Sequence, residues 1–137
     1  MIFKIQKKAV RILFKKLKRD SCKPLFKEHG ILTLYSVFIY KNLKKKKKKK
    51  KNIEIRSDMH QYNLRNNTNL HIKATRLVKS DKTPSIMSRK LYNKLPIEIK
   101  TLEIKIFKKK VISFLINNVF YNINEYLEPK WKVTDFT

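Results

Sequence analysis

The sequence has very little cysteine and glycine, with one residue of each in 137. Because a disulfide needs two cysteines, the lone Cys22 excludes an internal disulfide framework and indicates a reducing compartment. Basic side chains at Lys4, Lys7, Lys8 and Arg11 interrupt the apolar stretch that a secretory signal requires. We therefore expect an intracellular protein, nuclear or cytoplasmic, that is not secreted.

Long apolar runs are also missing. The longest nearly apolar stretch, Ile31 to Tyr40, has ten residues, whereas a membrane-spanning helix needs about 20. Apolar residues nevertheless make up 42% of the chain, which is enough for a small core. The sequence predicts no transmembrane segment, and either one small domain or a piece of a larger one.

Acidic residues are scarce, since 10 Asp plus Glu stand against 35 Lys plus Arg and give a formal charge of +25. Eight consecutive lysines, Lys44 to Lys51, add to this excess, but the rest of the chain is also strongly basic. Self-repulsion on this scale opposes compaction unless a polyanion neutralises it. The composition favours RNA or DNA, bound electrostatically, as the partner, and an anionic membrane surface as the second choice.

Paired carboxylates and clustered metal ligands are missing from the sequence pattern. The aspartates stand singly, so they provide no adjacent pair of the kind that holds two Mg²⁺ ions. The spacings of the soft metal ligands fit no zinc-binding pattern; these ligands are Cys22, His29, His60 and His71. We predict no catalytic residue, no metal site and no cofactor, with Cys22 buried and the histidines at the surface.

Charge and apolar periodicity predict a mainly α fold, a small bundle of amphipathic helices with an irregular polar middle segment. The predicted segments are an N-terminal helical segment 1–43, the polylysine run 44–51, a polar loop region 52–83, a C-terminal helical segment 84–128 and a tail 129–137 without a pattern.

The first helix is predicted over residues 2–19. Apolar side chains recur along it mostly at spacings of three or four residues and broadly follow one face. They are Ile2, Ile5, Ala9, Ile12, Leu13 and Leu17. Basic side chains follow another face. This N-terminal basic stripe consists of Lys4, Lys8, Arg11, Lys15 and Lys18.

Two further helices are predicted before the lysine run. Pro24 suits a first helical position and Gly30 a position just past a helix end, so a short helix lies between them. Thr33 or Ser36 is a candidate cap for a helix in the apolar segment up to Leu43. Because each like-charge pair at helical spacing costs about 0.2–0.5 kcal/mol, this helix is expected to fray in the lysine run unless an anion screens the charges.

In the C-terminal half, Pro84 starts a helix that ends before Pro96. Thr101, with Glu103 in the first turn, is predicted to open the last long helix. A final helical turn is predicted over 124–127. Phe107, Phe114 and Phe120 are predicted core residues, and Tyr92 and Tyr121 are predicted core or rim residues. The polar middle is predicted to hold at most short strands, around 70–72 and 76–78.

Lysines and arginines of these segments are candidate phosphate contacts, because each one that neutralises a phosphate releases counterions from the nucleic acid and so favours binding. In the polar loop, an aromatic residue beside Asn and Arg can stack an unpaired base and hydrogen-bond its edge. A plainer interpretation of the loop is an Asn-rich turn with Tyr62 packed on a helix. The lysine run has three interpretations: a nuclear localisation patch, a phosphate-binding arm, or a translated A-rich stretch without a selected role. The candidate contacts are Lys4, Lys8, Arg11, Lys15, Lys46, Lys48, His60, Tyr62, Asn63, Arg65, Lys105, Lys108 and Lys109.

Six sequence blocks, in order along the chain, resemble the C-terminal tail of jockey-like LINE (non-LTR retrotransposon) reverse transcriptases and together cover roughly residues 3–127. They are Ile5–Ile12 (IQKKAVRI); Asp20–Glu28 (DSCKPLFKE); Ile31–Leu34 with Ile39–Tyr40; Ser57–His60 with Tyr62–Asn63 and Arg65; Leu91–Pro96 (LYNKLP) with Ile99–Lys100; and Phe107–Lys108 with Phe114–Leu115, Phe120–Tyr121 and Glu125–Leu127.

The resemblance implies a tail that follows the polymerase thumb and helps to hold template RNA or target DNA. The sequence departs from the family pattern at Tyr35, at Leu64 and in the lysine run. The family's aromatic-x-Asp-Asp polymerase motif and its endonuclease residues have no counterpart here. The resemblance therefore implies a truncated, non-catalytic remnant whose partner in an intact element would be the rest of the polyprotein.

Other interpretations stay open at this point. A cationic amphipathic protein on a membrane surface would have a similar composition. A poorly folded translated remnant without function is a third interpretation. The first helix, which has no acidic residue before Asp20, also resembles a mitochondrial presequence, although it is poor in serine.

Overall fold

A computed structural model describes residues 1–49, 55–59, 62, 65, 68–74, 76 and 83–137. These residues form a small helical bundle, which confirms the predicted mainly α fold. The helices are α1 (Ile2–Leu13), α2 (Lys23–Glu28), α3 (Leu34–Lys49), α4 (Arg56–Met59), α5 (Pro84–Asn93), α6 (Ile97–Thr101), α7 (Ile104–Asn117), α8 (Asn124–Leu127) and a 3-10 helix (Val133–Phe136).

Helix α1 ends at Leu13, so the prediction of a helix up to residue 19 was wrong. Lys15 has a φ of +51°, a left-handed conformation that an α-helix does not continue through. Beyond it, the amide of Leu17 donates to Asp20 Oδ2 at 2.9 Å, and Arg11 Nε donates to the carbonyl of Asp20 at 3.0 Å. These bonds form a tight turn that sends the chain back toward α1.

The turn allows α1 and α2 to bury a small apolar cluster between them. Val10, Leu25 and Phe26 form its centre together with Cys22, which is buried as predicted. The Cys22 thiol donates to the carbonyl of Lys7 at 3.7 Å, a weak bond that joins the two elements. Burial of this cluster gives a physical reason for α1 to end early, because a longer helix would carry α2 away from it.

The predicted boundaries of α2 and α3 follow from local backbone chemistry. Pro24 lies in the first turn of α2, and Gly30 follows that helix with a φ of +61°. The Thr33 hydroxyl accepts the amide of Ser36 at 3.1 Å, which makes Thr33 the N-cap of α3. The same hydroxyl donates to the carbonyl of Phe120 at 2.7 Å and so ties the start of α3 to the loop after α7.

Helix α3 continues through the lysine run to Lys49, so the predicted fraying was wrong for the described lysines. Lys47 Nζ lies 5.3 Å from the ring centroid of Phe107 and donates to the carbonyl of Lys100. Lysine stems can pack on apolar surface while their amino groups keep polar partners. This packing against α7 offsets part of the repulsion between neighbouring lysines.

The larger apolar cluster is centred on Phe114 of α7. Phe107, Phe114 and Phe120 are all buried, as predicted. The ring of Phe136 stacks on Phe114 with a centroid distance of 4.1 Å, and the ring of Trp131 meets it edge-on at 4.9 Å. Both partners come from the tail in which the sequence has no pattern, so the tail is part of the core.

The C-terminal helix boundaries are confirmed for α5 and α8, while the predicted start of α7 was wrong. Thr101 closes α6, and Glu103 stands at the N-cap of α7. Leu102 and Glu103 both have extended backbone, with ψ angles of 150° and 147°, and they separate the two helices. The acidic residue thus lies at the start of α7, but Thr101 belongs to the preceding helix.

The described part of the polar middle is fastened to α5. Leu70 is buried, and its amide and carbonyl bond the Asn93 side chain at 2.8 and 3.0 Å. Leu70 also forms an isolated antiparallel bridge with Ile55, and this bridge is all that the described residues retain of the strand predicted near 70–72. Most of the strand predicted at 76–78 lies outside the described residues.

Two buried tyrosines of the core offer a matched test of the packing. The Tyr92 hydroxyl has no hydrogen-bond partner among the described residues, whereas the Tyr126 hydroxyl donates to the carbonyl of Leu91 at 3.1 Å. We expect Tyr126→Phe to lower the free energy of unfolding by about 0.5–1.5 kcal/mol. Tyr92→Phe should leave it unchanged or raise it, because an unpartnered buried hydroxyl is itself costly. Urea unfolding at pH 7 measures both, and an equal loss in the two variants would contradict the described core.

The same tyrosines couple folding to pH. Burial raises the pKa of Tyr92 to about 12 from its ordinary value of 10.0, and burial also raises the pKa of Tyr126. Ionisation of Tyr92 therefore leaves the free energy of unfolding unchanged below pH 10 and lowers it as the pH rises from 10 toward 12. The fall in stability above pH 10 should be shallower in Tyr92→Phe than in the parent chain.

Candidate nucleic-acid interface

Little of the positive charge is neutralised within the described residues. One side-chain ion pair joins two of them, between Lys23 Nζ and a carboxylate oxygen of Glu125 at 3.9 Å. Both side chains are about half exposed, so water screens the pair. A surface with so few internal counterions attracts polyanions over distances of about a Debye length.

Helix α1 and the turn after it form a basic groove. The groove has a volume of about 450 Å³, and apart from Ile12 every side chain along it is basic. The bond from Arg11 Nε to the Asp20 carbonyl holds the guanidinium beside the groove. The side chains that line the basic groove are Lys4, Lys8, Arg11, Ile12, Lys16 and Lys18.

The basic groove contains three of the four α1-stripe residues predicted as contacts. Lys4, Lys8 and Arg11 line it. Lys15 follows the end of α1 and does not line the groove. Lys16 and Lys18 take its place through the turn closed by Asp20. Lys16 was absent from the predicted contacts, since helical spacing alone cannot anticipate a turn.

The lysine run forms a second basic area on α3. Lys48 is exposed, and Lys46 is partly buried. The pKa of Lys46 is lowered, first by burial and then by the positive charges of Arg89, Lys45 and Lys49. An anion bound here would relieve this repulsion, whereas a further cation would increase it.

Helix α7 carries three further candidate contacts. The contact between Lys47 and Phe107 brings the C-terminal half of α3 against the first turns of α7. Lys105 and Lys109 are exposed, and helical spacing places them on nearly the opposite side of α7 from Phe107, while Lys108 is partly buried. We refer to the α3 residues Lys45, Lys46, Lys48 and Lys49 as the lysine ridge; the α7 lysines are not part of it.

The basic groove and the lysine ridge lie at different ends of α3. Gln6 Nε2 of α1 donates to the carbonyl of Leu32, and Gln6 Oε1 accepts the amide of Leu34, each at 2.9 Å. These two hydrogen bonds hold α1 at the start of α3. The ridge begins about eleven residues further along that helix, which at about 1.5 Å per residue is roughly 15–20 Å along the axis of α3.

No family model, curated protein or solved structure matches this chain. The retrotransposon resemblance and nucleic-acid binding therefore stay predictions.

The loop candidates are only partly described. Tyr62 is 83% exposed and Arg65 is also exposed, whereas His60 and Asn63 lie outside the described residues. The plainer interpretation, in which Tyr62 packs on a helix, does not fit a ring with this exposure. An exposed aromatic ring can stack an unpaired base.

Other chemistry has little support among the described residues. No three side chains from His, Cys, Asp and Glu gather there as metal ligands would. His29 instead stacks on the ring of Phe14, with a centroid distance of 3.6 Å and nearly parallel planes. None of the helices within the described ranges combines the length and apolar character needed to cross a bilayer.

Proposed function

We propose that this chain binds RNA or single-stranded DNA through its basic surface and catalyses no reaction. The observation that supports this most directly is the basic groove, in which five cationic side chains line one space and no acidic residue is among the lining. The stems of these side chains form most of the surface of the groove, so a phosphate would meet the charged ends of Lys4, Lys8 and Arg11 at its rim. Such convergence favours a polyanion over a neutral ligand.

The proposed mechanism is electrostatic. Each lysine or arginine that neutralises a phosphate releases condensed counterions, which supplies binding free energy without reading the base sequence. A strand that contacts both the basic groove and the lysine ridge gains more affinity than one that contacts either alone, because more of its phosphates are neutralised.

The retrotransposon resemblance supports the same proposal. In that family the tail would hold template RNA or target DNA for the polymerase, and we propose that this chain retains the binding part of that role. Its partner would be the nucleic acid itself, in the cytoplasm or the nucleus. In an intact element, the rest of the polyprotein would be a second partner.

The exposed pair Tyr62 and Arg65 tests whether binding includes unpaired bases. We expect Tyr62→Ala to weaken binding of a single-stranded RNA by about 1–3 kcal/mol and to leave the dependence on salt nearly unchanged, because stacking releases no counterion. Arg65→Ala should lower both the affinity and the salt dependence, because it removes a phosphate contact. Fluorescence anisotropy with a labelled oligonucleotide at several salt concentrations measures both quantities.

The control for this experiment is a duplex RNA of the same length. Paired bases cannot stack on Tyr62, so Tyr62→Ala should have little effect on the duplex. If neither variant changes binding of the single strand, the loop has no role in recognition. If the unaltered chain fails to bind RNA even at low salt, the proposed function is wrong.

A further inference from the structure

Helix α1 and the turn after it expose a continuous set of large apolar side chains. Ile2, Ile5, Ile12, Leu13 and Leu17 are each between 61 and 76% exposed, and we call them the exposed apolar face. The core lies on a different side of the same helix. Contiguous exposed apolar surface of this kind marks an interaction site more often than scattered single residues do.

The arrangement along α1 separates three faces. Phe3, Val10 and Phe14 pack into the small cluster with α2. Ile2, Ile5 and Ile12 follow one line along the helix, because their spacings of three and seven residues keep them on the same side. Helical geometry places the basic stripe Lys4, Lys8 and Arg11 between this line and the buried face. The exposed apolar face is thus bordered along one edge by positive charge.

This charge decides which occupant fits the exposed apolar face. A second copy of the chain would bring two basic edges together in a protein of formal charge +25, and the first turn of α1 has no acidic residue to offset them. An anionic bilayer surface complements both features, because its acyl region accepts apolar side chains and its headgroups accept cations. The 12-residue α1 is about 18 Å long, which suits lying in the plane of the interface.

We propose that α1 is an interfacial helix that attaches the chain to anionic lipid surfaces. Ile2, Ile5 and Ile12 insert between the headgroups, and the neighbouring lysines extend along the surface toward phosphates and carboxylates. This interaction surface is additional to nucleic-acid binding, since the apolar side chains that carry it contribute nothing to phosphate neutralisation.

Co-sedimentation of the full chain with vesicles tests this proposal. Vesicles of phosphatidylserine and phosphatidylcholine should bind the chain more strongly than vesicles of phosphatidylcholine alone. The double variant Ile2→Ser, Ile5→Ser should bind the anionic vesicles at least about tenfold more weakly, because it removes two insertable apolar side chains. The matched control Ile97→Ser, Ile106→Ser makes the same change at exposed isoleucines of α6 and α7, and it should bind like the parent chain.

Equal binding by both double variants would overturn the proposal, because attraction would then depend on charge alone. A lipid-free dimer seen by analytical ultracentrifugation in the parent chain, and lost in Ile2→Ser, Ile5→Ser, would also overturn it in favour of self-association. RNA binding by Ile2→Ser, Ile5→Ser should be unchanged, because neither residue lines the basic groove, and this separates the result from the proposed function. If circular dichroism reveals lost helix in that variant, Leu17→Ser provides the same test outside the helix.

Discussion

Replacing three lysines of the basic groove by glutamine is expected to weaken RNA binding about a hundredfold at roughly 0.1 M salt. The variant carries Lys4→Gln, Lys8→Gln and Lys16→Gln, all at exposed positions. On a single strand, each neutralised phosphate contributes about 0.7 to the slope of log affinity against log salt, so losing three contacts lowers the slope by about two. Anisotropy titrations across a range of salt concentrations measure the slope and the affinity together.

A second triple variant controls for net charge. Lys27→Gln, Lys73→Gln and Lys130→Gln remove the same charge from exposed lysines outside both the basic groove and the lysine ridge. If the groove binds phosphates directly, the control should lose much less affinity and keep most of its slope. Equal losses in the two triple variants would mean that affinity follows total charge and that the groove has no special part.

Substituting four lysines of the run is expected to lower the slope by up to about three while making the protein more stable. The variant carries Lys45→Gln, Lys46→Gln, Lys48→Gln and Lys49→Gln and keeps Lys47 on Phe107. Up to four phosphate contacts are lost, at about 0.7 each on a single strand. Each like-charge pair removed at helical spacing returns about 0.2–0.5 kcal/mol to α3.

Substitution is a sharper test than deletion of Lys44 to Lys51, because deletion would also remove the packing of Lys47. Circular dichroism and urea unfolding should find unchanged or increased helix content and a higher free energy of unfolding. Lower helix content in the variant would contradict the account of α3, and an unchanged slope would exclude the lysine run from the binding surface.

The boundaries that could be predicted from sequence are those that local backbone chemistry decides. Pro24, Gly30 and Thr33 each act within three or four residues of their own position, through a fixed φ, a left-handed φ or a hydroxyl cap. Pro84 acts in the same way at the start of α5. These signals do not depend on distant parts of the chain, so the sequence pattern alone identified them.

The end of α1 and the choice of its buried face depend on tertiary packing. Apolar residues occur on two sides of this helix, and helical spacing favoured the side of Ile2 and Ile5. In the structure, Phe3 and Val10 are covered instead, because α2 folds back beneath them. Phe136 is a similar case, since its burial depends on Phe114, which lies more than twenty residues away.

The sequence predicted the lysines of the candidate site that lie on a helix and missed those that lie in the turn. Lys4 and Lys8 belong to a helical stripe, whereas Lys16 reaches the basic groove only because Lys15 and Asp20 end the helix. The LYNKLP block that contributes to the retrotransposon resemblance has a structural role. Leu91, Tyr92 and Leu95 are buried, and Asn93 holds Leu70.

The central claim is that the folded basic surface binds nucleic acid, and that the lysine run is only one part of it. The most direct test measures the slope of log affinity against log salt on single-stranded RNA for a variant in which every lysine of the run except Lys47 is replaced by glutamine. Since the basic groove keeps at least three phosphate contacts in this variant, its slope should remain at about two or more. A slope near zero would contradict the claim, because the lysine run would then account for all of the binding.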